Sequence, residues 1–159
     1  SAPTTGDITE VAAGSNIDVT SGTGPVPSVA LAIDAEVAFG DQLATRPEMK
    51  DYSETVNAIG ATGGGTQDID LTLGNVVTAT VDTSANTFTF SNPSATGKSC
   101  SFTLILTNGG SQTVNWPAAV DFAGGTAPTL TAAGVDVLGF MTVDAGTRWY
   151  GFAGGLAMA

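Results

Sequence analysis

Asp68 and Asp70 stand two residues apart in the segment DIDLTL, a spacing that puts both carboxylates on one face of an extended strand. Paired carboxylates are the equipment of glycoside hydrolysis, which needs one of them held protonated beside a sugar bond. No third acid clusters near the pair in sequence, and two adjacent carboxylates are also what the solvent side of a strand carries, so hydrolysis is not expected. The same oxygens suit calcium by hardness, but the Asp/Asn/Gly spacing of a calcium loop is missing and no metal is expected. Cys100 is the sole cysteine and the chain has no histidine. An intrachain disulfide, a Cys/His zinc site and a Ser-His or Cys-His nucleophile pair are therefore all excluded. In CSFTLILT, Cys100 alternates with Phe102, Leu104 and Leu106, the pattern of a small hydrophobe in a core. The expectation is a protein that is not an enzyme and holds no cofactor.

Aromatic residues offer binding in place of catalysis. Trp116, Phe122, Phe140, Trp149, Tyr150 and Phe152 gather in the last third of the chain, and exposed aromatic faces hold sugars or partner proteins. In TRWYGF, strand alternation sets Trp149 with Gly151 on one face and Arg148, Tyr150 and Phe152 on the other. Two readings stand: Trp116, Tyr150 and Phe152 pack inside, or Arg148 and Trp149 make a receptor or subunit contact.

Charge narrows the partners. Fifteen acidic residues against four basic ones give a net charge of −11. Affinity for phosphate backbones comes from Lys and Arg displacing counterions, and four scattered cations cannot supply it, so nucleic acid is not an expected partner. No apolar run approaches the length of a membrane helix, and SAPTTGDITE has neither the basic nor the apolar region of a signal peptide. No membrane partner is expected. Ser1-Ala2 fits a start left by removal of an initiator methionine, and the chain is expected to be made in a cytoplasm.

The elements that must position these residues read as mainly β. Twenty-one glycines, 12% charged residues and a second half crowded with Thr, Val and Phe favour short strands and tight turns. Residues 1–42 form an expected β arm. Ile8 and Val11 flank one extended run, Ile17 and Val19 face one way in the next, and Val29, Leu31 and Ile33 make a period-two face in a third. Such a ribbon cannot close a core alone, so these residues are expected to dock on another chain.

Residues 43–60 carry the expected single helix. Thr45 and Glu48 have capping-box spacing, Pro47 suits the first turn and Gly60 suits the stop. Its apolar positions Met49, Tyr52, Val56 and Ile59 run 3-4-3, a narrow seam suited either to association of identical helices or to packing on the chain's own sheet. Residues 61–66 read as a Gly-rich linker. From 67 to 159, DIDLTL, NVVTATVD, NTFTFS, CSFTLILT, QTVNW, VDVLGFMTV and TRWYGFAG make a series of strands separated by Gly, Asn, Asp and Pro turns, the pattern of a β-sandwich or jelly-roll head. CSFTLILT and VDVLGFMTV should be central strands, and NTFTFS should expose its threonines.

Two stretches carry a resemblance. GDITEVAAGSNIDVT followed by SVALA resembles the linker repeat of bacteriophage tail fibres and related virion surface proteins. TFTFSNP, SFTLILTNGGSQTVNWP, GGTAPTLT and TRWYGF are together similar to a β-domain found at the C-termini of phage tail-fibre and other virion proteins. The resemblance implies a homotrimeric virion structural protein, assembled in the host cytoplasm and displayed on the particle surface. The shortness of the chain favours a capsid decoration or cement protein bound to the major capsid protein or other virion subunits. The alternative it implies is a short tail-fibre or receptor-binding protein recognising a host surface glycan.

Overall fold

Most of the alternating runs in the described residues become strand, but DIDLTL does so only to Asp70, since Leu71–Leu73 turn as a 3-10 helix capped by the Asp70 carboxylate. The computed structural model describes residues 44–158, together with the backbone of two short strands at 18–20 and 28–30. The chain divides into two units, 1–50 and 51–159. In the first, β1 (Asp18–Thr20) pairs antiparallel with β2 (Ser28–Ala30), setting Val19 opposite Val29. Ile8, Val11, Ile17, Leu31 and Ile33 lie outside the described residues.

The second unit holds two sheets. Six strands run in the order β3 (Val56–Ala61), β5 (Val76–Thr80), β7 (Cys100–Thr107), β10 (Val135–Thr142), β11 (Trp149–Met158) and β9 (Val120–Phe122). The other three are β4 (Gly65–Asp70), β6 (Asn86–Ser91) and β8 (Val114–Asn115). CSFTLILT and VDVLGFMTV are inner strands of the larger sheet as their composition requires, and Thr87 and Thr89 of NTFTFS are exposed.

Pairing departs from the expected topology. A jelly roll or immunoglobulin-type sandwich joins antiparallel strands, whereas here β3, β5 and β7 run parallel to one another, as do β4, β6 and β8. Each odd strand in this run passes through a corner into its even successor in the other sheet, so three two-strand arcs stack in register. Backbone bonds continue the ladder around the corners: Thr62 N–H to the Thr80 carbonyl, Val81 N–H to Thr107, Gly65 N–H to Ala85 and Asn86 N–H to Thr113. Gly63, Gly64 and Gly65 all take positive φ at the first corner, and Asp82 Oδ1 accepts from Gly63 N–H at 2.8 Å. GATGGGTQ is thus a corner within one unit and not a linker between two.

The expected helix over 43–60 is absent: no α-helix occurs among the described residues. Arg46 and Asp51 adopt left-handed backbone, which a helix cannot contain, and residues 44–55 form no regular element. The β-branched Val56 and Ile59 belong instead to β3, where pairing with β5 satisfies the backbone that a lone helix turn would have satisfied itself. The apolar seam dissolves accordingly. Met49 and Tyr52 are exposed, Val56 points outward, and Ile59 packs on the core.

The core is aromatic and draws on side chains of both sheets. Phe88 and Ile69 of the smaller sheet and Val77, Leu104, Leu106, Leu138 and Phe140 of the larger are fully buried. Phe90 makes edge-on contacts with Phe102, Phe140 and Trp149 at centroid distances of 4.9, 5.1 and 5.3 Å, each contributing about 0.5–1.5 kcal/mol beyond its burial. Cys100 packs against this cluster as a small hydrophobe, its Sγ accepting from Ser94 N–H.

Candidate interaction face

The residues that alternate with the core define the opposite side of the six-stranded sheet. Register makes this surface explicit. Val56, Val76, Thr103, Gly139 and Phe152 lie in one row across five strands, and Ala58, Thr78, Ile105, Val137 and Gly155 lie in the next. Ser101, Met141, Tyr150 and Asp121 extend the face beyond the first row, and Thr107, Val135 and Met158 extend it beyond the second. Asp121, on the edge strand, is the one charged residue in these rows. Within this unit no strand is laid across the face, and Val56, Tyr150, Phe152 and Met158 are each about half exposed.

The closing aromatic segment therefore has the opposite phase from the packing expected of it. Trp149 is 2% exposed, while Tyr150 and Phe152 are 48% and 52% exposed. The inward position after Trp149 is Gly151, where a Cβ would strike the Phe122 ring, and the absence of a side chain there gives Phe122 its place in the core. Outside, the Phe152 ring lies over Gly139, its cross-strand partner, so this glycine seats an aromatic on the surface. Trp116 packs against Phe88 with its ring stacked at 5.5 Å and belongs to the core's margin. Trp149 is thus a core residue, and the aromatics open to contact are Tyr150 and Phe152. The signal was in the sequence, since glycine in strand alternation with large aromatics marks which face has room for a neighbour's ring.

Arg148 remains at the surface. Its guanidinium donates to Asp121 Oδ2 at 3.2 Å, both side chains being about half exposed, and the pair edges a shallow notch of about 240 Å³ lined also by Ala118, Ala119, Val120 and Thr147. Tyr150, opposite Asp121 in register, adjoins it. The Arg148 turn is set by Asp144, whose Oδ1 accepts from Arg148 N–H and the Thr142 hydroxyl. Those bonds hold the Asp144 carboxyl below its ordinary range.

Asp68 and Asp70 sit on the outward side of β4, where hydroxyls and amides engage them. Asp68 accepts from the Thr89 and Ser91 hydroxyls at 2.7 and 2.6 Å. Asp70 Oδ1 accepts from the Asn92 amide, the Thr72 N–H and the Thr72 hydroxyl, and these bonds lower its pKa, the Asn92 amide most. A glycosidase acid needs the opposite shift. Among the described residues no three His, Cys, Asp or Glu side chains converge as a metal site.

One buried carboxylate was not singled out from sequence. Asp136, fully buried near the start of β10, accepts from Thr131 N–H at 2.7 Å, the Thr131 hydroxyl at 2.6 Å and Ala157 N–H at 3.0 Å. Burial pushes its pKa up, but those three bonds together outweigh it and the net shift is downward. It clasps the loop before β10 to the last residues of β11, which holds Met158 in the outer rows opposite Val135. Alternation alone would have marked Asp136 as an inward residue between Val135 and Val137. Comparison with protein-family models, curated proteins and solved structures finds no match for this chain.

Proposed function

We propose that this protein is a non-enzymatic structural subunit of a bacteriophage virion surface, a homotrimeric capsid decoration protein whose arm binds the shell and whose two-sheet head is displayed. The observation that carries the reading is the outer sheet face: an extended, nearly charge-free surface on a chain of net charge −11. Apolar exposure on that scale is characteristic of a protein that works by contact. The hydrogen-bonded state of Asp68 and Asp70 supports a role without catalysis, and the virion setting rests on the resemblance of the TFTFSNP and TRWYGF motifs to phage β-domains alone. Cryo-electron microscopy of intact particles tests the proposal. Density for this protein on the shell is the expected result, and density confined to the tail would overturn it.

A second reading, a short tail-fibre or receptor-binding protein, is favoured by one specific feature. Exposed Tyr150 beside the Arg148–Asp121 pair combines an aromatic face with a charged hydrogen-bonding fork, a combination that suits a saccharide. Glycan-array binding lost in Tyr150→Ala, with density at the tail tip, would select this reading over decoration.

A further inference from the structure

We infer that the outward face of the six-stranded sheet is a self-association surface, and that its occupant is the same face of another copy of this chain. The inference rests on the proposal that the protein is an oligomeric structural subunit, and it names the surface that joins the copies.

Charge selects the occupant. Identical copies carrying fifteen acidic and four basic residues repel one another wherever their carboxylates meet. Across β3, β5, β7, β10 and β11, the outward rows present Val, Ile, Thr, Met, Tyr, Phe and small residues, with no acid or base. A basic partner would be met by carboxylates; among the described residues of this unit the outward rows carry only Asp121, at the edge and with its charge paired to Arg148, while Asp68 and Asp70 lie on the other sheet. An uncharged face on an acidic chain is the surface on which two such chains can approach.

Extent and relief agree. Five strands about 4.8 Å apart and about six residues long span roughly 24 by 20 Å, or ~500 Å². Two such faces together bury ~1,000 Å² before side-chain relief is counted, the size at which specific interfaces begin. Phe152, seated on Gly139, and its neighbours Tyr150 and Met141 form a ridge at one end. In the next row Ala58 and Thr78 are low, Ile105 and Val137 stand higher and the Met158 thioether lies over Gly155, so copies whose faces turn toward a common axis in front of the sheet can set the ridge of one against the low end of another.

The test is the mass of the full chain by sedimentation equilibrium, with Val137→Asp and Thr103→Lys as face variants. Thr103 is already polar and partly exposed, so its variant keeps the fold if Val137→Asp does not. Thr87→Asp, on the outward side of the other sheet, is the control. Like charges placed opposite each other should weaken association at least about 100-fold. The expected result is an oligomeric wild type and control, with face variants at the single-chain mass and a wild-type circular dichroism spectrum. A wild type at the single-chain mass, or folded face variants that keep the oligomer, would overturn the inference. A dimer in place of a trimer would support the face and contradict the three-fold reading. A monomer that still coats the shell would leave the decoration reading standing and remove this one.

Discussion

Replacing Asp136 with asparagine removes the charge from a clasp that joins three parts of the fold. The carboxylate is fully buried and accepts three hydrogen bonds, two on Oδ1 and one on Oδ2. Asparagine keeps one acceptor oxygen and turns an NH₂ toward the donors of the other. A charge-assisted bond contributes about 1.5–3 kcal/mol, and a buried donor left without an acceptor costs about 1–3 kcal/mol. These terms overlap, so we expect a loss of about 3 kcal/mol at pH 7. For a unit of this size that corresponds to a Tm lower by about 12 °C.

The pH dependence has a definite sign. The folded pKa lies below the ordinary 3.8, so Asp136 contributes its full stability above about pH 4 and loses it as pH falls through the folded value. The gap between wild type and Asp136→Asn should stay constant from pH 7 to about 5 and close below about pH 4. Thermal melts followed by circular dichroism across that range make the measurement. A Tm within about 2 °C of wild type at pH 7, or a gap that persists undiminished at pH 2.5, would refute the reasoning.

Two further substitutions test the architecture. Leu104→Ala empties a fully buried position on a central strand and should cost about 2–5 kcal/mol in urea unfolding; a cost under about 1 kcal/mol would mean that the core lies elsewhere. Gly110→Ala places a Cβ against the Leu130 backbone carbonyl, and because backbone cannot swing aside the variant should lose roughly 2 kcal/mol, whereas a neutral effect would contradict the packing of that corner.

The strands of the second unit were legible because each carries its own period. Ile69 between Asp68 and Asp70, and Phe88 and Phe90 alternating with Thr87, Thr89 and Ser91, announce a buried and a solvated side without reference to anything distant. Partner choice is a different kind of information. ATGGGTQ, DTSAN and TNGGSQ mark changes of direction, but glycine and asparagine serve a corner between sheets as readily as a hairpin within one. What decides between them is whether Ile69 and Phe88 must face Val77 and Leu104 across a core, and that depends on residues far apart in the chain. The helix failed for a related reason: caps at Thr45 and Glu48 and a 3-4-3 line were local signals, while pairing of Val56–Ala61 with Val76–Thr80 is a tertiary one that overrode them. At the candidate site, sequence left open whether the face of Arg148, Tyr150 and Phe152 turned inward or outward. The phase of Trp149 against Tyr150 could not be placed without weighing Gly139 and Gly151 as seats for rings.

The outer face also contains its own reporters. Met141 and Met158 lie in its rows, and Met49, the chain's third methionine, lies in the other unit and is 68% exposed. Oxidation of a thioether by peroxide follows its exposure. Timed oxidation of the full-length protein, read residue by residue by mass spectrometry, therefore asks directly whether copies of the chain cover that face. Met49 should oxidise fast while Met141 and Met158 are protected at least about tenfold, the protection vanishing in Thr103→Lys. Equal rates at all three methionines in the wild-type protein would contradict a covered face.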